Sequence, residues 1–246
     1  MPTSRSRPTI RAYWLGSVPY REAWDLQQAM VSAIRDRRWA DTLLLLEHPH
    51  VFTLGRRGTL DHVLWDDAER QRRGVDLVFC DRGGDVTYHG PGQLVGYPLL
   101  DLRGHGSDIL LYLRRLEASL VDYLARLGVA AAPVEGLTGV WAGDAKVAAI
   151  GVKLTDTVVS HGFALNLTTD LSYFGGIVPC GLAGKAVTSV AQLGVGRHTT
   201  EAAAREYSVA FSQAFDVQLT WADPAELAAL PRDSRPAPDA LQLLPS

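Results

Sequence analysis

Two cysteines are the residues of this sequence best suited to nucleophilic chemistry, Cys80 and Cys180. Cys180 lies between Pro179 and Gly181, so it cannot sit inside a helix. A helix-like segment, residues 187–193, follows it, and a cysteine on a turn near a helix start has its thiolate favoured by exposed backbone N–H groups. Cys80 ends the apolar run 75–79, which is typical of a buried and inert thiol. Cys180 is therefore the candidate nucleophile.

Three side chains could act as the base for such a thiol. Lys146 begins the apolar stretch 147–152, where a lysine is most often simply solvated. His161 lies in a mainly apolar segment, which favours a hydrogen-bonded structural histidine, and His89 lies in a glycine-rich segment. The residues alone predict a thiol with a nearby base, and they leave the choice among these three open. A cysteine hydrolase would be the natural interpretation at this point.

The glycine-rich segment, residues 81–93, contains four glycines and one proline between two apolar strand candidates. These residue types indicate unusual backbone dihedrals or a close approach of the backbone to a ligand. A simple glycine-rich hairpin would explain the glycines alone. Arg82 and His89 favour a binding loop, because rigid scaffolds present polar groups on loops between strands.

Composition describes an ordinary globular protein of 246 residues, with 47% hydrophobic residues and a net charge of −3. That balance excludes bulk disorder and offers no electrostatic case for binding nucleic acid. Two cysteines are too few for a disulfide framework, and clustered metal-ligand spacing is missing, so no metal is expected. No apolar run approaches the roughly 18 residues of a membrane span, and no secretory signal is evident. We therefore expect a cytoplasmic protein.

Hydrophobic periodicity predicts the elements that must position these side chains. Helices are expected over 20–38, about 107–127 and about 200–215, and strands over 10–15, 42–47, 75–80, 93–100, 146–154, 158–167 and 217–221. Helices and strands are interspersed without strict alternation, which favours an α+β fold with mixed, largely antiparallel sheets. We predict one domain over residues 9–230, with flexible tails at 1–8 and 231–246.

Several motifs occur together in a fixed order over about residues 40–195. They are the run from Arg82 to Gln93 ending at Tyr97-Pro98, Gly139-Val140-Trp141 leading to Lys146, Ala149-Ile150-Gly151, His161-Gly162 with Ala164-Leu165-Asn166, and Pro179-Cys180-Gly181 followed by Thr188-Ser189. This ordered set resembles the lipoyl(octanoyl) transferases of lipoate biosynthesis. Its specificity comes from the co-occurrence, since each motif alone is weak.

The resemblance implies a fold like that of the biotin and lipoate protein ligases. It also implies transfer of an octanoyl group from octanoyl-acyl carrier protein to a specific lysine of a lipoyl domain, without cofactor or metal. The acceptors implied are the lipoyl domains of 2-oxoacid dehydrogenase complexes and the H protein of glycine cleavage. Cys180 would carry the acyl thioester and Lys146 would be its acid and base, so the resemblance selects Lys146 over the histidines.

The residues that the resemblance places against the acyl thioester form three groups. They are Arg82, Gly83, Gly84, Asp85, Val86, Thr87, Tyr88 and His89; Ala149, Ile150 and Gly151; and Gly162, Phe163 and Ala164. The small residues among them would leave room for an apolar chain, and they are Gly83, Gly84, Ala149, Gly151, Gly162 and Ala164. Arginines at positions 35, 37, 38, 56, 57, 70, 72 and 73 either form a docking face for the acidic carrier or are merely solvated.

Three other functions compete with octanoyl transfer. An ATP-dependent lipoate or biotin ligase shares the expected fold but does not need Cys180. A cysteine hydrolase would transfer the acyl group to water. A non-catalytic module that binds acyl carrier protein would not depend on Lys146.

Overall fold

The computed structural model describes residues 7–178, 186–196 and 198–231. The strands of this part are β1 (Thr9–Ser17), β2 (Thr42–Glu47), β3 (Val51–Leu54), β4 (Asp76–Phe79), β5 (Val86–His89), β6 (Gln93–Asp101), β7 (Ala132–Val134), β8 (Leu137–Ala142), β9 (Ala145–Thr155), β10 (Val158–Asn166), β11 (Ala186–Val187) and β12 (Gln218–Trp221). Its α-helices are α1 (Tyr20–Arg35), α2 (Asp67–Arg72), α3 (Ile109–Arg126) and α4 (Thr200–Phe215).

One large mixed sheet organises the molecule. Its strands follow the order β12-β1-β2-β6-β10-β9-β8-β7, with β11 paired to β9. The pairs from β2 to β7 along this order are antiparallel, whereas β12–β1, β1–β2 and β11–β9 are parallel. The predicted α+β class with a mixed, largely antiparallel sheet is confirmed.

Helices cover both faces of this sheet, which explains why its central strands are apolar at nearly every position. On β2, Leu43 and Leu45 pack into the core beneath α3 and α4, whereas Leu44 and Leu46 pack into the core beneath α1. Successive side chains of a strand point to opposite faces, so a strand buried on both sides reads as a continuous apolar run.

The helix ends follow local chemistry. Asp108 caps α3, because its side chain accepts a hydrogen bond from the Leu110 amide. Helix α1 ends at Arg35, three residues before the predicted end, since Arg37 takes a left-handed conformation with φ 56°. The predicted helix over 200–215 is confirmed.

A second sheet of three strands, β4-β3-β5, stands apart from the large one. Its strands β3 and β5 were not predicted, because β3 is four residues long and β5 is embedded in the glycine-rich segment. The predicted helix over 187–193 was wrong. That stretch begins in β11, which pairs with β9, and continues into a turn.

Candidate active site

A cavity of about 730 Å³ opens between the glycine-rich segment and strands β9 and β10. This volume lies within the range of small-molecule sites. Every residue that the resemblance placed against the acyl thioester lines the cavity except Tyr88, and Lys146 lines it too. The other residues that line the cavity are Tyr20, Arg56, Arg57, Tyr97, Leu113, Gly136, Leu137, Thr138, Val152 and His161. The fold thus gathers the three predicted groups in one place.

Tyr88 lies on the other side of β5, away from the cavity. It is buried among aromatic rings, with Tyr173 stacked at 5.1 Å and Phe52 at 6.0 Å between ring centroids. Its hydroxyl bonds to His50 Nδ1 at 2.8 Å. The alternation of side chains along β5 explains this placement, because residues 87 and 89 face the opposite way.

The glycine-rich segment packs directly on β9. The Gly83 amide donates to the Val152 carbonyl at 2.9 Å. A Cβ at Gly151 would approach the Gly83 carbonyl oxygen to 2.9 Å, and a Cβ at Gly83 would approach the Val152 oxygen to 3.2 Å. These two glycines therefore allow the two walls to meet, rather than leaving room for a ligand as the sequence suggested.

Lys146 is half-buried and lies near the start of β9. Its Nζ lies over the ring of Trp141 on the neighbouring strand β8, 5.0 Å from the ring centroid. Gly139 has φ 121°, and a Cβ there would meet the Ala148 carbonyl at 2.6 Å and the Lys146 side chain at 3.5 Å. A glycine at this position thus allows β8 to approach the backbone of β9 closely, near Lys146.

Cys180 and its neighbours Pro179 and Gly181 lie outside the described residues. The chain is described again from Ala186, where β11 runs parallel to β9 with Val187 in register with Lys146. The Thr188 amide donates to the Lys146 carbonyl at 2.9 Å. The segment that follows Cys180 by six residues is therefore held beside Lys146.

Arg82 is buried, at 7% exposure, and its guanidinium is held by Thr53. Nη2 donates to the Thr53 carbonyl at 2.6 Å and to Thr53 Oγ1 at 2.9 Å. Nη1 donates to the Gly83 carbonyl at 3.1 Å. Among the described residues no carboxylate lies within 4 Å of this guanidinium. Its positive charge is therefore not neutralised by an ion pair there, and it acts on neighbouring groups such as His89.

His89 has both ring nitrogens in hydrogen bonds. Nδ1 bonds to Gln93 Oε1 at 2.8 Å, and Nε2 lies 3.5 Å from Thr53 Oγ1. Gln93 Nε2 donates to the Tyr88 carbonyl, which identifies Oε1 as the acceptor and requires the proton on His89 Nδ1. Burial lowers the pKa of His89 well below its ordinary value, and the charges of His48 and Arg82 lower it further. The ring is neutral at physiological pH.

His161 and Lys153 both bond to Asp81 in a partly buried network. Its Nε2 lies 2.8 Å from Asp81 Oδ1, and Lys153 Nζ lies 2.6 Å from Oδ2. Burial lowers the pKa of His161, although the carboxylate of Asp81, which accepts its hydrogen bond, acts to raise it. Burial alone would raise the pKa of Asp81, but His161 and Lys153 outweigh it and hold that pKa below its usual range. The expected structural histidine is found here.

The backbone at His161 has φ 56°, which is unusual inside a strand. The facing residue of β6 is Pro98, which has no N–H to donate to the ladder. The β10–β6 pairing is interrupted here, between Val159 and Phe163. The His161 amide donates to Gln27 Oε1 on α1 at 2.8 Å.

A cluster of buried aromatic rings adjoins His89, and it contains Tyr20, His48 and Tyr97. The Tyr97 hydroxyl bonds to His48 Nε2 at 2.7 Å, and His48 Nδ1 donates to the Val18 carbonyl at 2.6 Å. Burial lowers the pKa of His48 to about 4. No local pattern singles out Tyr20, which lies at the start of α1 and stacks on His89 at 5.8 Å between centroids.

Of the eight arginines considered for docking, Arg56 and Arg57 line the cavity, and both are exposed. Most of the others engage nearby carboxylates. Arg35 and Arg38 pair with Asp36, Arg70 pairs with Asp67, and Arg72 and Arg73 pair with Glu69. The sequence left open whether these arginines form a docking face or are merely solvated, and of the eight only Arg56 and Arg57 line the cavity.

Cys80 is buried at 4% exposure, and its Sγ donates to the Leu54 carbonyl at 3.3 Å. It is not among the residues that line the cavity. Its predicted role as a buried strand-end residue is confirmed.

No helix of the described residues is long and apolar enough to cross a membrane, and no three of their His, Cys, Asp or Glu side chains are grouped as metal ligands would be.

Solved structures of similar fold include lipoate protein ligases. A lipoate-protein ligase A bound with ATP aligns with a TM-score of 0.72 at 18% identity, covering 89% of this chain and 91% of that one. The bipartite lipoate protein ligase of Thermoplasma acidophilum aligns with a TM-score of 0.72 at 18% identity, over 92% and 91% of the two chains. The fold is therefore that of the lipoate protein ligases, as predicted.

Sequence comparison narrows the family. Residues 19–212 match the lipoyl protein ligase A/B catalytic domain. An octanoyltransferase of Solibacter usitatus is 49% identical over 205 residues, covering 83% of this chain and 92% of that protein. An octanoyltransferase of Chloroflexus aurantiacus is 49% identical over 201 residues, covering 80% and 90%. The chain belongs to the lipoyl protein ligase A/B catalytic domain family, and within it to the octanoyltransferases.

Proposed function

We propose that the protein transfers an octanoyl group from octanoyl-acyl carrier protein to a specific lysine of a lipoyl domain. Cys180 would carry the acyl group as a thioester, with Lys146 as acid and base. The observation that carries this proposal is the cavity, because one pocket combines Lys146 with the predicted acyl-binding residues, and β11 brings the chain from Cys180 back beside Lys146.

The first step exchanges one thioester for another. The Cys180 thiolate attacks the thioester carbonyl, a new carbon–sulfur bond forms, and the bond to the carrier thiol breaks. The Lys146 ammonium gives its proton to the departing sulfur. A free thiol of ordinary pKa about 8.5 is only about 3% thiolate at pH 7, so a cation beside Cys180 would increase the reactive fraction.

The second step forms the amide. The neutral amine of the acceptor lysine attacks the Cys180 thioester, the carbon–nitrogen bond forms, and the thiolate leaves. Lys146, now neutral, takes the proton that the attacking amine loses, which restores both groups. A free lysine of ordinary pKa about 10.4 is neutral only about 0.04% of the time at pH 7, so this step depends most on a base.

The cavity supplies binding energy for the chain. An octanoyl chain has seven carbons beyond its carbonyl, and burying them contributes about 5 kcal/mol at roughly 0.8 kcal/mol per methylene. Ala149, Ile150 and Ala164 provide small or apolar wall around the site. The same surface would lose affinity for shorter chains by a few-fold per methylene.

The carrier would meet the protein at Arg56 and Arg57. Both arginines are exposed and line the cavity, and an acidic carrier is attracted to such a pair.

The predicted boundaries of the domain, residues 9–230, and a cytoplasmic location remain part of the proposal. The acceptors proposed are the lipoyl domains of 2-oxoacid dehydrogenase complexes and the H protein of glycine cleavage.

The acyl adduct tests the mechanism directly. The protein is incubated with octanoyl-acyl carrier protein and no nucleotide, and its intact mass is followed. We expect a gain of one octanoyl group on Cys180, which is then lost to an added lipoyl domain. Cys180→Ser abolishes the transfer, whereas Cys80→Ser, at a cysteine that does not line the cavity, retains it. Full activity of Cys180→Ser, or a requirement for ATP, contradicts the proposal.

A further inference from the structure

Asn166, at the end of β10, connects two parts of the site that lie far apart in sequence. Its Nδ2 donates to the Thr188 carbonyl at 3.0 Å, and its Oδ1 accepts from Gln93 Nε2 at 2.9 Å. Asn166 is 4% exposed and Thr188 is 5% exposed, so water cannot easily replace these bonds. The backbone carbonyl of Thr188 identifies which end of the Asn166 amide is the donor.

These bonds belong to one directional chain that runs across the cavity wall. Arg82 donates to Thr53 Oγ1, Thr53 faces His89 Nε2, and His89 Nδ1 donates to Gln93. Gln93 then donates to Asn166, Asn166 to the Thr188 carbonyl, and the Thr188 amide to the Lys146 carbonyl. Because every donor points the same way, each bond polarises the next.

The link at Asn166 matters because β11 is short, and the next anchors of the segment lie beyond it, where Val190 is buried in the core and the Ala191 amide donates to the Leu167 carbonyl at 2.9 Å. This strand is two residues long and pairs with β9 alone. Just beyond it, the Val190 amide donates to the Asn166 carbonyl at 2.9 Å, so residue 166 holds the segment through both its side chain and its backbone. Loss of the side-chain amide would leave the buried Thr188 carbonyl without its donor.

We infer that Asn166 is a positioning residue, which fixes the Thr188 segment against Lys146 and thereby sets the geometry of the lysine for catalysis. This inference rests on the proposed function of Lys146. Asn166 does not line the cavity. Its loss should therefore slow the chemical step and leave substrate binding nearly unchanged.

Asn166→Ala and Asn166→Asp test this role in the full-length protein. For octanoyl transfer to a lipoyl domain, we expect kcat of Asn166→Ala to fall about tenfold or more, with KM for the donor within about twofold. A protonated Asp can donate to Thr188 and accept from Gln93 as Asn does, whereas its carboxylate cannot donate. Relative to wild type, kcat of Asn166→Asp should rise from about pH 8 to about pH 6, and that of Asn166→Ala should not.

Ser119→Ala is the matched control, because it removes a buried hydrogen bond of 2.8 Å to the Tyr207 hydroxyl between α3 and α4. It should lower the melting temperature comparably and leave kcat unchanged. Amide exchange of the peptide 186–191 provides a readout without activity, and we expect it to accelerate in Asn166→Ala alone.

Unchanged exchange of that peptide, or a change in KM without a change in kcat, overturns the inference. If wild type itself transfers no octanoyl group, the proposed function fails, whereas the exchange experiment still decides whether Asn166 holds the segment.

Discussion

The cavity has two regions of opposite character, the rim and the inner wall. The rim is defined here by the lining residues Arg56, Arg57, Gly136, Thr138 and Lys146, which are exposed or half-buried. The inner wall is defined by the buried lining residues, and they are Tyr20, Arg82, Asp85, Val86, His89, Tyr97, His161, Gly162, Phe163 and Ala164. The rim carries three cationic side chains, whereas the inner wall carries mainly aromatic rings, with one arginine and one aspartate.

The difference bears on which group can move a proton. On the inner wall, burial lowers the pKa of His89 and of His161, so neither ring readily takes up a proton. Both ring nitrogens of His89 and Nε2 of His161 also have protein partners, whereas Nδ1 of His161 has none among the described residues. Lys146 lies at the rim, where a substrate thioester and an acceptor amine can both reach it. The contrast supports the lysine over the two histidines that the residues alone left as alternatives.

The largest expected effect is at Lys146. Lys146→Met removes both the cation and the base, and we expect kcat for octanoyl transfer to fall about a hundredfold or more. Lys146→Arg keeps the positive charge but cannot release its proton at physiological pH. It should therefore form the Cys180 adduct more slowly than wild type, because the carrier sulfur must leave as a thiolate and take its proton from water, and it should then fail to pass the octanoyl group on. Intact mass after mixing with donor, and again after adding acceptor, separates the two steps.

Lys153→Met is the control for that experiment, since Lys153 is the other lysine of β9 and its Nζ contacts Asp81 rather than the cavity. It should retain most of its turnover. If Lys146→Arg turned over at a rate near that of wild type, the base would instead be a group of the inner wall. The difference between the rim and the inner wall would then not identify the base.

His48 neighbours the inner wall, and its protonation should change the free energy of unfolding rather than the rate of octanoyl transfer. The pKa of His48 is about 4 in the folded protein and about 6.5 in an unfolded chain. Between these values the unfolded chain binds a proton that the folded one excludes, so stability is complete above about pH 6.5 and falls as the pH drops toward 4. The loss from this residue is about 3 kcal/mol. Urea unfolding at several pH values measures it.

His48→Gln should flatten this dependence, because glutamine does not titrate. His50→Gln is the matched control, since His50 bonds to Tyr88 and stacks on Tyr173 at 4.2 Å but is only partly buried. It should keep most of the slope. An equal slope in wild type and His48→Gln would show that His48 is protonated in the folded protein.

Helices and strands with a long apolar pattern could be predicted from the sequence. Short strands that lie within or beside a glycine-rich segment could not. Helix α4 is long enough for its apolar positions to reveal the helical period, and strand β2 is recognisable as a continuous apolar run. Strand β5 has four residues and lies among glycines, whose backbone freedom conceals it. Its alternation places Thr87 and His89 at the cavity and Tyr88 in an aromatic core. A motif that reads as one loop is therefore divided between two environments.

The site itself was predictable where motifs carried it, and not where only the fold brought residues together. Lys146 and the acyl-binding groups came from the resemblance to a family. Tyr20 lies at the start of an ordinary amphipathic helix, and nothing local marks it. Gln93 and Asn166 face each other because β6 and β10 pair with that register. Such a register is a property of the sheet, so single-sequence patterns do not contain it.

The smallest expected effect is at the two rim arginines. Arg56→Ala combined with Arg57→Ala should raise KM for octanoyl-acyl carrier protein by about three- to tenfold at low ionic strength, with kcat little changed. Exposed charges are screened by salt, so the difference from wild type should shrink at roughly 0.5 M. Steady-state kinetics at two salt concentrations measure both effects. The pair Arg38→Ala with Arg72→Ala removes the same charge from arginines that already pair with carboxylates, and it should have no comparable effect.

A second donor separates the carrier from the chain it brings. Octanoyl-pantetheine presents the same thioester without an acidic protein, so Arg56→Ala with Arg57→Ala should leave its KM unchanged. If KM rose equally for both donors, the arginines would act on the thioester arm rather than on the carrier surface. The rim would then resemble the inner wall, as part of one continuous acyl site, and the carrier would have to dock through another face.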